Sequence, residues 1–232
     1  MKKKAIITTM MLLITFAILA NSAMGIRISQ KEELKKEVFT EIITLDEEIA
    51  GWKFFSIPFD AVLSVDSLRI KNDDVYLTLQ EASNQNIMCS FVYVYDSEMN
   101  NWRLCNECEP NKAYLVYVYV EDELTLGVFG SYKDGGSPLT LSKGWNYFGL
   151  PIRSTVPVLG LRLSSDRLGF SHLSLDKAHG ILVDKHMFHA TNTNDPTYEM
   201  VDIKNDVIEP GNVYMIYSYS DDVEISFAPV FG

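Results

Sequence analysis

Positive charge is scarce in this chain, whose 232 residues include 20 lysines and arginines against 31 aspartates and glutamates, a formal net charge of −11. That balance argues against a nucleic-acid partner, because binding to phosphates depends on neutralising them with basic side chains. Cysteine is scarce too, and three residues are too few for a disulfide-dense scaffold. The remaining composition, 47% hydrophobic and 22% charged, is that of an ordinary globular protein.

Sequence motifs for catalysis and for phosphate binding are missing as well. There is no Gly-x-Ser-x-Gly nucleophile elbow, no His-Glu-x-x-His zinc motif and no glycine-rich phosphate loop. Carboxylates are abundant, but none is singled out by its context as half of a glycosidase pair. No Asn-x-Ser/Thr sequon occurs, so N-glycosylation of that type is not expected. We therefore expect a protein that is not an enzyme and carries no cofactor.

The N-terminus has the pattern of an export signal. Lysines at positions 2–4 precede a 16-residue apolar run at 5–20, and small residues follow as far as Gly25. The run is shorter than the roughly 20 apolar residues of a spanning helix, so residues 1–25 are predicted to be a cleaved signal peptide, with a retained anchor as the alternative. The expected location is extracellular or in the cell envelope, with no stable membrane span after cleavage.

Two motifs occur twice in the rest of the sequence. The segment GWKFFSIP at 51–58 returns as GWNYFGLP at 144–151, 93 positions later. The segment EPNKAYLVY at 109–117 returns as EPGNVYMIY at 209–217, 100 positions later. Self-similarity in a fixed order indicates two copies of one structural unit.

Each copy is predicted to consist of β-strands. Apolar residues alternate at Phe55 and Ile57, and the runs at 91–95 and 113–120 are β-branched and aromatic. The predicted fold is all-β, with two tandem β-sandwich-like repeats preceded by the signal peptide and a short helix that begins at a capping box. The expected boundaries are 26–44 for the short helix and linker, 45–130 for repeat 1, 131–139 for a linker and 140–232 for repeat 2.

The repeated motifs resemble those of the GWN…P β-sandwich modules of secreted and cell-surface proteins from archaea and some bacteria, including surface-layer-associated proteins. The resemblance covers about 180 of the 232 residues. The first copy departs from the pattern at Lys53 and Asn111, where the usual residues are Asn and Gly. The resemblance implies location and architecture, and because modules of this type are generally non-catalytic, it transfers no active residues.

The three cysteines are candidates for a disulfide. If Tyr95 pairs with Trp102 across a hairpin, Cys89 comes opposite Cys108 and Cys105 is a diagonal neighbour. In an oxidising compartment this predicts a bridge from Cys89 to Cys108 or to Cys105, with a Cys105–Cys108 bond as the alternative. Every one of these pairings leaves one thiol over.

Metal sites fit the sequence less well. A zinc site could combine Cys105 and Cys108 with His186 and His189, but the two pairs belong to different copies, and histidines three apart lie on opposite faces of a strand. The acidic clusters at 72–74 and 221–222 could bind calcium, but solvated turns explain them more simply. No metal ion is predicted.

Tyrosines at alternate positions of a strand are the candidate binding residues. The candidates are Tyr117, Tyr119, Tyr217 and Tyr219. We favour the interpretation that these rings fill the core of each sandwich, and we expect Trp52 and Trp145 to be core or hairpin-covering residues. The alternative for the tyrosines is an exposed face that stacks on sugar rings or on another protein.

The function we expect is that of a secreted or cell-surface, non-catalytic structural or interaction module. Its partners would be other cell-surface proteins or glycans, and not nucleic acid. A carbohydrate-binding module that uses exposed tyrosines is the alternative function. Solvent-exposed, coplanar tyrosines in one shallow groove would favour that alternative.

Overall fold

A computed structural model describes residues 38–45, 50–133, 138–191 and 198–227. Strands dominate these ranges, so the all-β prediction is confirmed. The helices within them are short: α1 (Leu79–Asn84), α2 (Leu175–Ala178) and two single-turn 3-10 helices (Val65–Ser67 and Val158–Gly160). None of the helices in these ranges has the length and apolar composition needed to cross a membrane.

The first half of the described chain is a β-sandwich. Its strands are β1 (Phe39–Leu45), β2 (Gly51–Ser56), β3 (Leu63–Ser64), β4 (Leu68–Asn72), β5 (Val75–Thr78), β6 (Val92–Asp96), β7 (Asn101–Cys105), β8 (Glu107–Cys108), β9 (Ala113–Val118) and β10 (Leu124–Phe129). They form antiparallel sheets in the orders β1-β10-β4-β5 and β2-β9-β6-β7, with a small ribbon β3-β8. The inward residues of the two larger sheets share one apolar core. We call residues 39–133 module 1.

The second half has the same strand order. Its strands are β11 (Leu139–Leu141), β12 (Gly144–Phe148), β13 (Val156–Pro157), β14 (Leu161–Ser165), β15 (Phe170–Ser174), β16 (Val183–Ala190), β17 (Tyr198–Met200), β18 (Val207–Ile208), β19 (Val213–Ser218) and β20 (Val223–Phe227). The sheets run β11-β20-β14-β15, β12-β19-β16-β17 and β13-β18, which are the orders of the first half with ten added to each strand number. Residues 138–227, module 2, enclose a core of their own.

The N-terminal part of the predicted organisation needs one correction. Residues 39–44, which we assigned to a short helix and linker, belong to strand β1. The strand forms because Ile43 and Leu45 bury their side chains in the core of module 1 while β1 pairs with β10. The predicted signal peptide and capping box lie outside the described residues.

The repeated Glu-Pro motif has a structural explanation. Tyr114 and Tyr214 are buried, and the hydroxyl of each accepts a hydrogen bond from the backbone N–H of the glutamate five residues earlier, Glu109 or Glu209. Burial raises the pKa of Tyr214 to about 12 and raises that of Tyr114 further. Each ring therefore fixes the loop before its strand, as the tyrosine corner does in other sandwiches.

A third apolar cluster joins the two modules. Phe54 and Ala113 of module 1 meet Ala190 and Val213 of module 2. The larger rings around this cluster make contacts between the modules. Phe54 of module 1 lies 6.4 Å from Tyr198 of module 2, and Trp102 of module 1 lies 5.6 Å from Tyr147 of module 2, measured between ring centroids. Tyr147 also shares a hydrogen bond of 2.8 Å with the hydroxyl of Tyr198.

Candidate functional site

Trp52 and Trp145 lie on the outer faces of their sheets, so of the two alternatives expected for them, core or hairpin-covering, the core is wrong. Each is 41% exposed. Side chains alternate along a strand, and in β2 the inward positions belong to Lys53 and Phe55, which are 2% and 0% exposed. The tryptophan at the second position of each strand must therefore point away from the core.

Module 1 presents an aromatic patch around Trp52. Trp52 is the cross-strand partner of Tyr117, and their rings meet edge to face at 5.2 Å. Tyr93, on the next strand, lies 5.6 Å from Trp52 and is paired with Leu104 on β7. Tyr119 completes the cluster, 5.2 Å from Tyr117. We call these five residues patch 1.

Module 2 presents the same arrangement around Trp145. Trp145 is paired with Tyr217 at 5.3 Å, and Tyr219 lies 5.6 Å beyond. Phe188 lies 6.1 Å from Trp145 and is paired with Met200 on the edge strand β17. These five residues are patch 2, and each occupies the position equivalent to that of its counterpart in patch 1.

The four candidate tyrosines all belong to these patches, which overturns the favoured interpretation that they fill the core. Tyr117 and Tyr217 are half-buried, and Tyr119 and Tyr219 are 48% and 40% exposed. The core ring of strand β9 is Tyr114, three residues before Tyr117 and so on the opposite face.

Three members of the patches have no sequence pattern that selects them. Phe188, Leu104 and Met200 had no motif to mark them. The signal for Leu104 was present, however, because the predicted pairing of Tyr95 with Trp102 is observed and places Leu104 opposite Tyr93. In module 2 the corresponding pair is Phe188 and Met200, and its register depends on a turn whose length the sequence does not specify.

The rings within each patch are steeply inclined to one another. The angle between ring planes is 86° for Trp52 and Tyr117 and 81° for Trp145 and Tyr217. Edge-to-face contacts of this kind are favourable between aromatic rings. The patches therefore expose separate ring faces and do not form one flat platform.

A polar network borders patch 2. The hydroxyl of Tyr219 donates to one carboxylate oxygen of Asp184 at 3.0 Å, while the other oxygen accepts from the backbone N–H of His186 at 2.9 Å and contacts its Nδ1 at 3.0 Å. The backbone hydrogen bond from His186 lowers the pKa of Asp184, and the bond from Tyr219 adds to this effect. The tyrosine contacts the carboxylate and not the imidazole, unlike a nucleophile in a catalytic triad.

Patch 1 has a cysteine where patch 2 has Asp184. Cys89 donates its N–H to the carbonyl of Tyr117, and Tyr119 donates to the carbonyl of Ile87. Tyr219 likewise donates its N–H to Leu182. The nearby sulfur of Cys89 raises the pKa of Tyr119. The two patches therefore share their rings but differ in the group at this edge.

The predicted disulfides from Cys89 do not form, and all three cysteines are free thiols. Strand β6 begins only at Val92, and the chain before it turns toward β9, which carries Cys89 away from the β6–β7 ladder. Cys108 is instead paired with Leu63 in the small ribbon. Cys105 and Cys108, the alternative pair, share a hydrogen bond as thiols, which lowers the pKa of Cys105 and, together with burial, raises that of Cys108.

The other sites that we considered remain dispersed. In the described ranges, no three His, Cys, Asp or Glu side chains are grouped so that they could hold a metal ion. A groove of about 720 Å³ lies beside the β6–β7 hairpin and is lined by charged, polar and apolar side chains, among them Arg103 and Asp96, whose ion pair measures 3.0 Å. Geometry therefore points to the patches as the candidate site.

Comparison of the chain with known protein families, with curated proteins and with solved structures finds no match.

Proposed function

We propose that this protein is a secreted or cell-surface, non-catalytic binding module in which two copies of one β-sandwich present matching aromatic patches to other surface proteins. The observation that carries the proposal is the occurrence of the patch at five equivalent positions in both modules. Large apolar side chains grouped on a surface typically mark an interaction site.

Duplication of an ancestral unit is part of the proposal. The shared strand order and the two repeated motifs support it. The interface residues Phe54 and Tyr147 occupy equivalent positions in the two copies, as do Trp102 and Tyr198, so each module contributes the same kind of surface to the contact. The resemblance to GWN…P modules, the signal-like N-terminus and the acidic composition favour a surface or extracellular location.

Carbohydrate binding is the second candidate, because half-exposed Trp and Tyr rings are suited to stacking on sugars. The inclination of 53° to 86° between neighbouring rings limits this function. A sugar chain that stacks on several coplanar rings would not fit, whereas a single sugar ring could lie on Trp52 or Trp145. We therefore rank this candidate second.

Binding of the purified protein to envelope fractions tests the proposed function. We expect the double variant W52A/W145A to bind with an affinity lower by about tenfold or more, because tryptophans that become buried in a complex commonly dominate the binding energy of the interface. A matched control, V62A/L168A, removes two exposed apolar side chains, 58% and 44% exposed, that lie outside the patches, and should bind as the wild type does. Near-ultraviolet circular dichroism checks that each variant is folded.

Equal binding by folded W52A/W145A and wild type would contradict the proposal. The carbohydrate alternative is tested by calorimetric titration with cellohexaose and chitohexaose. Binding of either sugar that is lost in W52A/W145A would favour the second candidate.

A further inference from the structure

An acidic turn adjoins each aromatic patch at the same end. Strand β9 is followed by Tyr119 and then by the exposed carboxylates of Glu121, Asp122 and Glu123. Strand β19 is followed by Tyr219 and then by the exposed carboxylates of Asp221 and Asp222. Aromatic rings and carboxylates are thus neighbours in both modules.

Further charged groups at these ends leave both of them negative. In module 1 the acidic turn shares a groove of about 550 Å³ with Asp73 and a single cation, Lys71. In module 2, Asp184 accepts a hydrogen bond from the hydroxyl of Tyr219. The lysines at this end are Lys143, whose backbone N–H is bonded to Asp221 at 2.8 Å, and Lys185, which follows Asp184 in strand β16. Carboxylates outnumber lysines at each patch.

We propose that each patch binds a basic segment of a partner protein, with an arginine or lysine side chain on the ring faces and a neighbouring basic residue at the acidic turn. This inference rests on the proposed function and names its partner. A cation over the face of Trp or Tyr is attracted by the ring quadrupole, and the planar guanidinium of arginine also stacks on such rings.

The charge and the ring geometry both favour this occupant over the alternatives. A net charge of −11 attracts a basic partner and disfavours a second copy of the same chain. Rings inclined by 81° and 86° offer separate faces, which suit the successive side chains of a peptide better than a flat sugar surface.

Titration with the synthetic peptide (Gly-Arg)4 tests the inference, with (Gly-Gln)4 as the neutral control. Calorimetry at 50 mM NaCl should detect binding of the arginine peptide only, and 300 mM NaCl should weaken it, because salt screens exposed charges. W52A/W145A, which leaves the net charge unchanged, should weaken binding about tenfold or more.

Two charge-matched variants separate the acidic turns from the overall charge. D122N/D222N neutralises one carboxylate in each turn and should weaken peptide binding about threefold to tenfold. E109Q/E209Q removes the same charge at the opposite ends of strands β9 and β19, where both side chains are exposed, and should change the affinity less than twofold. If D122N/D222N and E109Q/E209Q weakened binding equally, or if W52A/W145A had no effect, the peptide would be attracted only by the overall negative charge of the protein. Either result would overturn the inference.

The failures of the two proposals are distinguishable. If W52A/W145A abolishes envelope binding while the wild type ignores (Gly-Arg)4, the patches bind a different partner, so that the inference fails and the proposed function stands. If W52A/W145A binds envelope fractions as the wild type does, the proposed function fails, whatever the peptide does.

Discussion

Ser56 and Gly149 occupy the same position in the two modules and lie directly against each other. A Cβ atom built on Gly149 would come within 1.9 Å of both Cβ and Oγ of Ser56. Ser56 also donates its backbone N–H to the carbonyl of Gly211 and its hydroxyl to that of Asn212, both at 2.8 Å. Contact between equivalent residues is what a two-fold arrangement produces on its axis. The modules therefore pack as two halves of a symmetric dimer would.

Gly149→Ala should destabilise the protein by forcing Ser56 out of this contact. We expect the free energy of unfolding to fall by about 1–3 kcal/mol, as is usual for overpacking at a closely fitted site. Urea unfolding followed by circular dichroism measures the change.

Ser56→Gly provides the control for this prediction. The double variant S56G/G149A should recover most of the loss, because it removes the Ser56 Cβ and Oγ that a Cβ at position 149 would meet, whereas S56A/G149A keeps the clashing Cβ and should not. A loss in G149A that S56G fails to relieve would mean that the strain lies elsewhere.

The buried tyrosine hydroxyls allow a matched pair of predictions, one in each module. Tyr114→Phe and Tyr214→Phe each leave the backbone N–H of Glu109 or Glu209 without its acceptor. Each should lower the free energy of unfolding by about 1–3 kcal/mol, the cost of an unsatisfied buried group. Tyr117→Phe, which changes a half-buried ring on the outer face, is the control and should have a smaller effect. Equal losses in all three variants would contradict the assigned role of the corner hydroxyls.

The pH dependence of the free energy of unfolding should include a contribution from the protonation of His189. Burial lowers its pKa in the folded state, although the charges of Glu199 and Glu209 oppose the shift. Below the unfolded pKa of about 6.5, the unfolded chain binds more protons than the folded one, so stability falls as the pH falls. Urea midpoints should be constant from pH 8 to 7 and decline toward pH 5.5, and H189Q should reduce that decline. Parallel declines in both proteins would assign the effect to other groups.

Local patterns predicted the strands and the hairpin register well. The pairing of Tyr95 with Trp102 follows from the turn-forming residues between them, and these residues act through short-range hydrogen bonds such as that from Glu98 N–H to Asp96. The residues that make such hydrogen bonds are neighbours in the sequence, so the turn can be recognised from the sequence alone.

The face of strand β9 was harder to predict, because both of its faces are apolar. Alternation alone cannot choose between Tyr114 and Tyr117 as the core residue. In the structure Tyr114 is the buried ring, and its hydroxyl accepts a hydrogen bond from the backbone N–H of Glu109. The burial of Phe54 could not be predicted for a different reason. The side chains that bury it belong to module 2 and are distant in the sequence.

The thiols of Cys105 and Cys108 give the last prediction. A hydrogen bond between them lowers the pKa of Cys105, although burial opposes the shift. Iodoacetamide reacts with thiolates, so Cys108→Ala should slow the alkylation of Cys105 several-fold at pH 7.5. Cys108→Ser keeps a donor at that position and should preserve the rate.

Alkylation in denaturant without reductant should add three carbamidomethyl groups to the wild type, one for each free cysteine. A single modified cysteine would show instead that a disulfide forms, and mapping the unmodified pair would identify its partners.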